Sequence, residues 1–340
     1  MKEAYLYKKL DNDKVQCQTC EHRCLLKTGE RGKCGVRENK DGTLYSLNYN
    51  KAISINVDPI EKKPLYHFLP GTRSLSVAAV GCQFACKNCQ NWRISQGPKL
   101  NPEKEIPGEK ITPNEIVEQA KDKNLKSISY TYTDPTVFLE YALDTMKLAH
   151  RQGIKNNWVT SGFFTKKAFD KIKPYLDAVN VDLKSFDSDY YEEYCDGRLQ
   201  PVLDNLKRLK ENNIWTEVTT LVIPGLTDDE ESLQQIAQFI ADELGTETPW
   251  HISRFSGAIS WKLQDVKDTP VEKLKQAYKI GKDAGLKYVY VGNVPGLEQE
   301  DTFCSNCGAK MIDRSGFSST CYDKEGECSK CGANLNLQLL

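Results

Sequence analysis

The 340-residue sequence lacks an excess of charge of either sign, because 46 Lys and Arg residues stand against 47 Asp and Glu residues, for a net charge of −1. Nucleic acid is therefore not expected as a main partner, and Lys62 and Lys63 are interpreted as solvated surface. The sequence also lacks an apolar run long enough to span a membrane, and residues 1–14 lack the apolar core and cleavage site of a secretory leader. We predict a globular, cytoplasmic chain without a membrane anchor.

Cysteine, by contrast, is abundant, with 13 residues. They fall in tight C-x2-C and C-x3-C groups, and their odd number leaves at least one thiol unpaired in any disulfide scheme. Metal binding in a reducing compartment is the interpretation that follows, with Cys195 expected to be a small buried residue and Cys321 a free thiol. The three groups are Cys17, Cys20, Cys24 and Cys34; Cys82, Cys86 and Cys89; and Cys304, Cys307, Cys328 and Cys331.

Between residues 75 and about 295, short β-branched runs alternate with helical patterns, which is typical of βα units around a parallel sheet. Six or seven units predict an α/β fold, a partial (β/α)6 barrel of the TIM type with small cysteine-rich metal modules at both ends. We expect an N-terminal metal-binding module (1–60), the barrel (61–298) and a C-terminal module (299–340), because neither end can build a core alone. The candidate strands are Leu75–Val80, Ser127–Tyr132, Asn156–Thr160, Ala178–Leu183, Thr216–Ile223, Trp250–Phe255 and Lys287–Val291.

Three helix starts carry the capping-box pattern, a threonine followed three residues later by a glutamate. In each case we expect the threonine hydroxyl to accept from a first-turn N–H and the glutamate to reach back to the cap. The three threonines are Thr112, Thr227 and Thr269.

The most specific motif is GCQFACKNCQNW, residues 81–92, which follows the first candidate strand directly. Three thiolates on one short loop, Cys82, Cys86 and Cys89, can bind three irons of a [4Fe–4S] cube and leave the fourth open to a small molecule. A zinc knuckle that borrows a ligand such as His67 is the alternative, although zinc sites more often use paired C-x2-C units. Enzymes with βα barrels place their chemistry on loops at the carboxyl ends of the strands, so motif and position agree.

From these residues the chain resembles the radical S-adenosylmethionine (SAM) superfamily. The pair that follows the third cysteine, Gln90 and Asn91, resembles the branch of the pyruvate formate-lyase activating enzymes. Further segments resemble the AmmeMemoRadiSam system radical SAM enzymes over nearly the whole chain. They are DPIEKKPLYH (58–67), PG (70–71), the cysteine loop, YTDP (132–135), VDLK (181–184), GRLQP (197–201) and GNVPG (292–296).

The resemblance implies that Cys82, Cys86 and Cys89 hold a [4Fe–4S] cluster whose open iron binds SAM. Reductive cleavage then gives methionine and a 5′-deoxyadenosyl radical, which abstracts hydrogen from a small-molecule or protein substrate that the sequence does not identify. A reductant such as flavodoxin or ferredoxin is implied as a partner. No catalytic residue beyond the cluster ligands is predicted.

Four residues are predicted to contact SAM. Asp134 stands where the superfamily has a Gly-Gly-Glu-Pro segment at the SAM amine, although the glycines are replaced and its arm is shorter; alternatively it caps a helix. Asp182 and Lys184 share one face of a strand and resemble the activase pair that binds the SAM ribose and carboxylate; alternatively they form an ion pair. His251 matches an activase residue near the adenosine, or is a hydrogen-bonded core histidine.

The outer cysteine groups are predicted metal sites. Cys304, Cys307, Cys328 and Cys331 form two C-x2-C knuckles with the signature of a zinc ribbon, and a rubredoxin-type iron would use the same ligands; we predict zinc. The set Cys17, Cys20, Cys24 and Cys34 fits either zinc or a second iron–sulfur cluster, and we favour zinc, with His22 as a substitute ligand.

Three functions follow from the sequence. The first is a radical SAM enzyme with an unidentified substrate, and the second is an activase that installs a glycyl radical on a partner protein. The third is a non-catalytic zinc-ribbon binding protein whose barrel has lost catalysis. Formation of 5′-deoxyadenosine separates the two enzymes from the binding protein.

Overall fold

The structure, a computed structural model, describes residues 1–339. Its N-terminal part contains two small antiparallel sheets, β1-β6-β5 and β2-β3-β4, and a strand, β7, that pairs with residues Glu109–Lys110 further along the chain. A small apolar cluster that includes Val15, Leu26 and Leu44 packs between them. The strands are β1 (Lys2–Glu3), β2 (Tyr7–Lys9), β3 (Val15–Cys17), β4 (Leu25–Leu26), β5 (Arg37–Lys40), β6 (Thr43–Ser46) and β7 (Lys51–Ala52).

The largest element is an eight-stranded sheet in the order β16-β15-β14-β13-β12-β11-β9-β8. Neighbours from β9 to β16 are parallel, and β8 lies antiparallel along the edge. Within residues 1–339 the two edge strands do not pair with each other, so the barrel is open. The predicted α/β partial barrel is confirmed. Its strands, with the short β10, are β8 (Ser54–Pro59), β9 (Arg73–Ala78), β10 (Glu109–Lys110), β11 (Ser127–Tyr130), β12 (Lys155–Thr160), β13 (Ala178–Asp182), β14 (Trp215–Val222), β15 (Trp250–Arg254) and β16 (Val289–Gly292).

Helices cover the outside of the sheet, which explains why a strand such as β11 is buried at every position. Each amphipathic helix turns one apolar stripe to the strands; in α3 this stripe includes Ala142, Leu143 and Met146. None of the helices in residues 1–339 is both long and apolar enough to cross a membrane. The helices are α1 (Trp92–Leu100), α2 (Pro113–Asp122), α3 (Leu139–Arg151), α4 (Lys166–Ile172), α5 (Ser188–Cys195), α6 (Gln200–Glu211), α7 (Glu230–Phe239) and α8 (Val271–Asp283).

Only one of the three predicted capping boxes is present. Thr112 accepts from the N–H of Glu115, whose side chain reaches back, as predicted. The cap of α7 is Asp229, and α8 begins after Pro270 without a side-chain cap. The hydroxyls of the other two threonines bind strand-end backbone instead, at 2.8 Å from the Leu221 carbonyl for Thr227 and 2.6 Å from the Val222 carbonyl for Thr269.

The edge strand β8 lies inside the range predicted for the N-terminal module. All six of its residues are in register with β9, so it belongs to the central sheet. Its sequence, SINVDP, includes the polar residues Asn56 and Asp58, and no apolar run marked it as a strand. The module boundary at residue 60 stays a prediction, with β8 on its N-terminal side. Asp58 of β8 pairs at 2.9 Å with Lys63, which is 2% exposed, so the interpretation of Lys63 as solvated surface is wrong.

The C-terminal part forms a three-stranded antiparallel sheet of β17 (Thr302–Phe303), β18 (Lys310–Ser315) and β19 (Ser318–Cys321). It packs against the amino-terminal end of the barrel strands through Arg314. The Arg314 guanidinium lies 4.1 Å from the centre of the Tyr66 ring and donates to the Tyr66 carbonyl at 2.9 Å. This end of the barrel is therefore covered by protein.

A buried polar layer fills the covered end. Glu217 of β14 accepts from the backbone N–H groups of Tyr66 and His67, both at 2.9 Å, and contacts the His251 ring nitrogen at 2.6 Å. His67 in turn contacts the Tyr290 hydroxyl at 2.6 Å. Burying these donors and acceptors without hydrogen-bond partners would cost free energy. Their hydrogen bonds therefore hold residues 60–72 in place across the end of the barrel.

We expect His67 to make the stability of the protein depend on pH. Burial lowers the pKa of this histidine from 6.5 to about 4. As pH falls from 6.5 to 4, the unfolded chain binds a proton at this histidine and the folded chain does not. The free energy of unfolding should then fall by up to about 3 kcal/mol on this account. Denaturant unfolding of wild type and His67→Gln across this range measures the difference, in which other titrating groups cancel; equal slopes would contradict the prediction.

Candidate active site

The cluster loop, residues 81–91, follows β9 at the carboxyl edge of the parallel strands. Cys82, Cys86 and Cys89 are all partly buried there. The loop needs Gly81 at its start, because this residue has a φ of +101° and a Cβ would lie 2.8 Å from a methyl carbon of Val36. The three predicted cluster ligands are thus presented at the edge where barrel enzymes carry their chemistry.

The backbone of the cluster loop is held by α5. The N–H of Ala85 donates to the Cys195 carbonyl and that of Lys87 to the Tyr194 carbonyl, both at 2.8 Å. Cys195 is buried in the main core beside Cys86, as expected for a small buried residue. These contacts fix the loop before any metal binds.

Helix α1 supplies further contacts that the sequence did not indicate. Its Lys99 and Gln96 donate to the Phe84 carbonyl at 2.8 and 3.0 Å, and the Ser95 hydroxyl lies 3.5 Å from the Cys89 sulfur. The only available signal was that this helix follows the motif directly. Together, α1 and α5 hold the cluster loop from two sides.

The thiols of the cluster loop resist ionisation in the metal-free protein. Burial, followed by the nearby Asp134 carboxylate, raises the pKa of Cys82, and burial likewise raises that of Cys89. A hydrogen bond with the Cys195 thiol, together with burial, raises the pKa of Cys86. Metal ligation requires thiolates, so binding at this loop must release protons and will strengthen as pH rises.

Asp134 caps the short helical turn Pro135–Phe138. Its carboxylate also accepts from the N–H and hydroxyl of Ser161, at 2.8 and 2.7 Å, and from the Thr160 hydroxyl at 3.0 Å. These bonds occupy most of the acceptor capacity of a carboxylate, which is about four lone pairs. Asp134 therefore has the alternative role, that of a helix cap. Its contact with the SAM amine stays a prediction.

Asp182 and Lys184 lie side by side at the carboxyl end of β13, with 2.9 Å between the ammonium nitrogen and the carboxylate. Burial opposes the charge on Lys184, yet the Asp182 carboxylate and the nearby sulfur of Cys86 raise its pKa overall. Lys184 therefore stays positively charged close to the cluster loop. The predicted pair is brought together beside the predicted cluster ligands.

His251 lies toward the other end of its strand, as the second residue of β15, and is 3% exposed. Its ring contacts Glu217 and stacks on Tyr290 with 5.3 Å between ring centres. This placement matches the alternative of a hydrogen-bonded core histidine, so the predicted contact with adenosine is not favoured. His67, proposed as a fourth ligand in the zinc-knuckle alternative, is bound in the same layer.

The spacing of the sulfur atoms separates single-ion sites from cluster sites. A tetrahedral zinc with Zn–S bonds of about 2.3 Å holds its thiolates about 3.8 Å apart. Within residues 1–339, one group of three or more potential ligands has all of its ligand atoms within 4.8 Å, and it lies in the C-terminal module. Its paired sulfur atoms are 3.7 and 3.6 Å apart, so it can bind a metal ion. Its members are Cys304, Cys307, Cys328 and Cys331.

The cluster loop fits the [4Fe–4S] group that the resemblance implies. Its three thiols share one loop and do not all lie within 4.8 Å of one another, and His67, the ligand named in the zinc-knuckle alternative, contacts Tyr290 instead. Thiolates that bind different irons of a cube must stand farther apart than thiolates on one ion. The cluster, when bound, would be held by Cys82, Cys86 and Cys89, with Lys184 and Asp182 beside it.

Comparison with known proteins gives the family. The radical SAM superfamily matches residues 76–239. Uncharacterized protein MJ0808 of Methanocaldococcus jannaschii is 45% identical over 342 residues and is matched over 100% of both chains. The pyruvate formate-lyase-activating enzyme of Clostridium pasteurianum is 24% identical over 225 residues, which cover 63% of this chain and 92% of that enzyme.

A solved structure shows the same fold. Streptococcus suis SuiB bound to S-adenosylmethionine aligns with a TM-score of 0.50 at 13% identity, over 72% of this chain and 56% of SuiB. At this identity the likeness concerns the fold alone. With the superfamily match over the cluster loop and the full-length match to MJ0808, the chain belongs to the radical SAM superfamily, in one family with that archaeal protein.

Proposed function

We propose that this chain is an enzyme that cleaves SAM reductively at a [4Fe–4S] cluster on Cys82, Cys86 and Cys89. The bound cluster supplies one electron that splits SAM into methionine and a 5′-deoxyadenosyl radical, which abstracts hydrogen from a substrate. The observation that carries the proposal is the three-thiol loop at the carboxyl edge of the barrel, in a segment that also matches the radical SAM superfamily.

Lys184 and Asp182 are proposed to bind SAM. The ammonium of Lys184 is fixed near Cys86, where it can pair with the SAM carboxylate, and Asp182 can accept from the ribose hydroxyls. The Asp182 side chain is 38% exposed, so it can reach a ligand from the same position. Their ion pair keeps both side chains oriented in the absence of SAM.

Asp134 is proposed as a positioning residue. Its carboxylate joins the turn after β11 to Thr160, the last residue of β12, and to Ser161, the next residue. The side chain of Asn91 in the cluster loop donates to the Tyr132 carbonyl at 2.9 Å, which joins the same segment to the cluster loop. Main-chain groups of this segment are thus held beside the cluster loop, where the SAM amine is expected.

Residues 260–262, named here the covering loop, pack against the cluster loop and α1. The hydroxyl of Ser260 and the N–H of Lys262 both donate to the Lys87 carbonyl, at 3.2 and 2.8 Å. Trp261 of this loop stacks on Trp92 of α1, with 6.3 Å between ring centres. The contacts of residues 260–262 close one side of the site.

The C-terminal module is proposed to bind zinc. The sulfur separations of 3.6 and 3.7 Å are close to the value for a tetrahedral ZnS4 site. Four protein ligands leave no open position, so the ion would be structural. A rubredoxin-type iron would use the same four ligands.

The family within the superfamily and the partners of the protein are also proposed here. The sequence segments favour the AmmeMemoRadiSam system, with a reductant of the flavodoxin or ferredoxin type and a small-molecule or protein substrate. The similarity to the C. pasteurianum activating enzyme favours a second candidate, an activase that acts on a glycyl-radical partner. The two differ in the hydrogen donor, which is a backbone glycine in the second.

Anaerobic reconstitution with iron and sulfide, followed by reduction with dithionite and addition of SAM, tests the proposed function. We expect 5′-deoxyadenosine and methionine in equal amounts. Adding deuterated candidate substrates should then move deuterium into 5′-deoxyadenosine and identify the hydrogen donor. A chain fully loaded with iron that forms no 5′-deoxyadenosine would leave the non-catalytic binding protein as the better description.

A further inference from the structure

The four N-terminal cysteines, far apart in sequence from the cluster loop, line one pocket. Their side chains converge from β3, from the turn after it and from the loop before β5. Gly32 also lines the pocket, next to the Cys24 sulfur. Arg37 and Thr136 also line this pocket. The four cysteines are Cys17, Cys20, Cys24 and Cys34.

Their spacing differs from that of the C-terminal set in the same molecule. The C-terminal sulfurs all lie within 4.8 Å of one another, whereas in the described residues no three of the N-terminal cysteines do. One zinc ion holds thiolates about 3.8 Å apart, and the N-terminal set is not arranged in this way. A cube in which each thiolate binds its own iron needs the wider spacing. The preference for zinc drawn from the sequence is therefore not supported.

A buried cation at the pocket points to a bound anionic group. Arg37 is 2% exposed and lines the pocket, and two of its nitrogens bind Glu140 at 2.7 and 3.1 Å. Its third nitrogen, Nε, is buried and has no hydrogen-bond partner in the described residues. Such an orphaned donor is costly in a protein interior and calls for a further acceptor. Cluster sulfur and thiolate are acceptors of the required charge.

The pocket adjoins the cluster loop. The carbonyl oxygen of Cys34 lies 3.0 Å from where a Cβ on Gly81 would stand, and Gly81 precedes Cys82. The His22 ring nitrogen Nε2 donates at 3.0 Å to the carbonyl of Gln83, the residue after Cys82. His22 is therefore engaged with the cluster loop and does not substitute as a ligand in the pocket. Residues of the N-terminal part thus contact the neighbours of Cys82 on both sides of it in the sequence.

We propose that Cys17, Cys20, Cys24 and Cys34 bind a second [4Fe–4S] cluster. Four thiolates leave no iron open, so this cluster does not bind SAM, and the chemistry left to it is electron transfer. The Arg37 guanidinium donates to it through Nε. The site itself does not depend on the proposed SAM cleavage, because it rests on other residues.

Metal analysis of the intact, anaerobically reconstituted chain tests the proposal. We expect about eight irons, about eight sulfides and one zinc per chain, because each cube holds four irons. About four irons with two zincs would overturn it. Mössbauer or EPR spectra of the reduced protein should show two cluster environments, and a single environment that accounts for all of the iron would also contradict it.

A triple variant, Cys82→Ala with Cys86→Ala and Cys89→Ala, isolates the second site. It should keep about four irons and the EPR signal of a reduced cube, because only the cluster loop is changed. Loss of all iron from a variant with native circular dichroism would overturn the proposal. Iron equal to that of wild type would instead show that the cluster loop binds none, which contradicts the proposed function and leaves the second cluster standing.

Discussion

Replacing Cys86 by alanine is expected to lower the rate of 5′-deoxyadenosine formation at least about a thousandfold, since the cofactor carries the chemistry. The thiol lies in the cluster loop between Cys82 and Cys89 and next to the Lys184 ammonium. Without it, a cube loses one of three ligands and about four irons should be lost from the chain. Product formation by liquid chromatography and iron content by absorption spectroscopy measure both effects.

Two other cysteine variants serve as controls for the Cys86→Ala substitution. Cys321→Ala changes an exposed thiol outside the three groups and should retain iron and activity. Cys195→Ala removes the buried thiol beside Cys86 and should also retain iron, because the proposed open iron requires that no fourth protein ligand exists. Loss of the cluster in Cys195→Ala, in a folded variant, would contradict the open coordination site.

Lys184 provides a contrast within the same site. Lys184→Met keeps the length of the side chain and removes its charge, so the iron content should stay that of wild type. The KM for SAM should rise at least about tenfold, since the proposed pairing with the SAM carboxylate is lost. An unchanged KM would show that the pair with Asp182 is only structural.

The second large effect concerns the covered end of the barrel. Glu217→Leu is expected to lower the free energy of unfolding by about 3–5 kcal/mol, because it leaves buried partners without their acceptor. Glu217 is 0% exposed and binds two backbone N–H groups, the Trp215 indole and the His251 ring. Chemical denaturation monitored by circular dichroism measures the loss.

Glu272→Leu is the matched control for this substitution. Glu272 is 82% exposed on its side chain and pairs with Lys275 at 3.4 Å on the surface of α8. Such pairs contribute at most about 1 kcal/mol, so the control should change stability little. Equal effects of the two substitutions would mean that the buried layer does not stabilise the barrel.

The fold and the central motif could be predicted because their signals are local. Spacing within residues 82–89 specifies the cluster loop, and the alternation of β-branched runs with helical stripes specifies the parallel sheet. Thr112 caps α2 with a partner three residues away, whereas Thr227 and Thr269 carry the same local pattern and bind strand-end carbonyls instead. The cluster loop and the parallel sheet could be predicted because each depends on residues that are close together in the sequence.

The remaining site details depend on partners that are distant in sequence. Asp134 binds Ser161, His251 binds Glu217, and Thr269 binds the carbonyl of Val222. No local pattern shows that these groups already have partners. The width of the N-terminal cysteine set has the same origin, because it depends on how separate loops are packed together.

Arg314 and Tyr66 cover the amino-terminal end of the barrel strands, with 4.1 Å between the guanidinium and the centre of the Tyr66 ring. Under the proposed function, SAM and substrate would therefore approach the cluster loop from the opposite end of the barrel or from its open side. Residues 260–262 contact Lys87 at that opposite end, so substitutions there would change access to the site and leave the cysteine ligands intact.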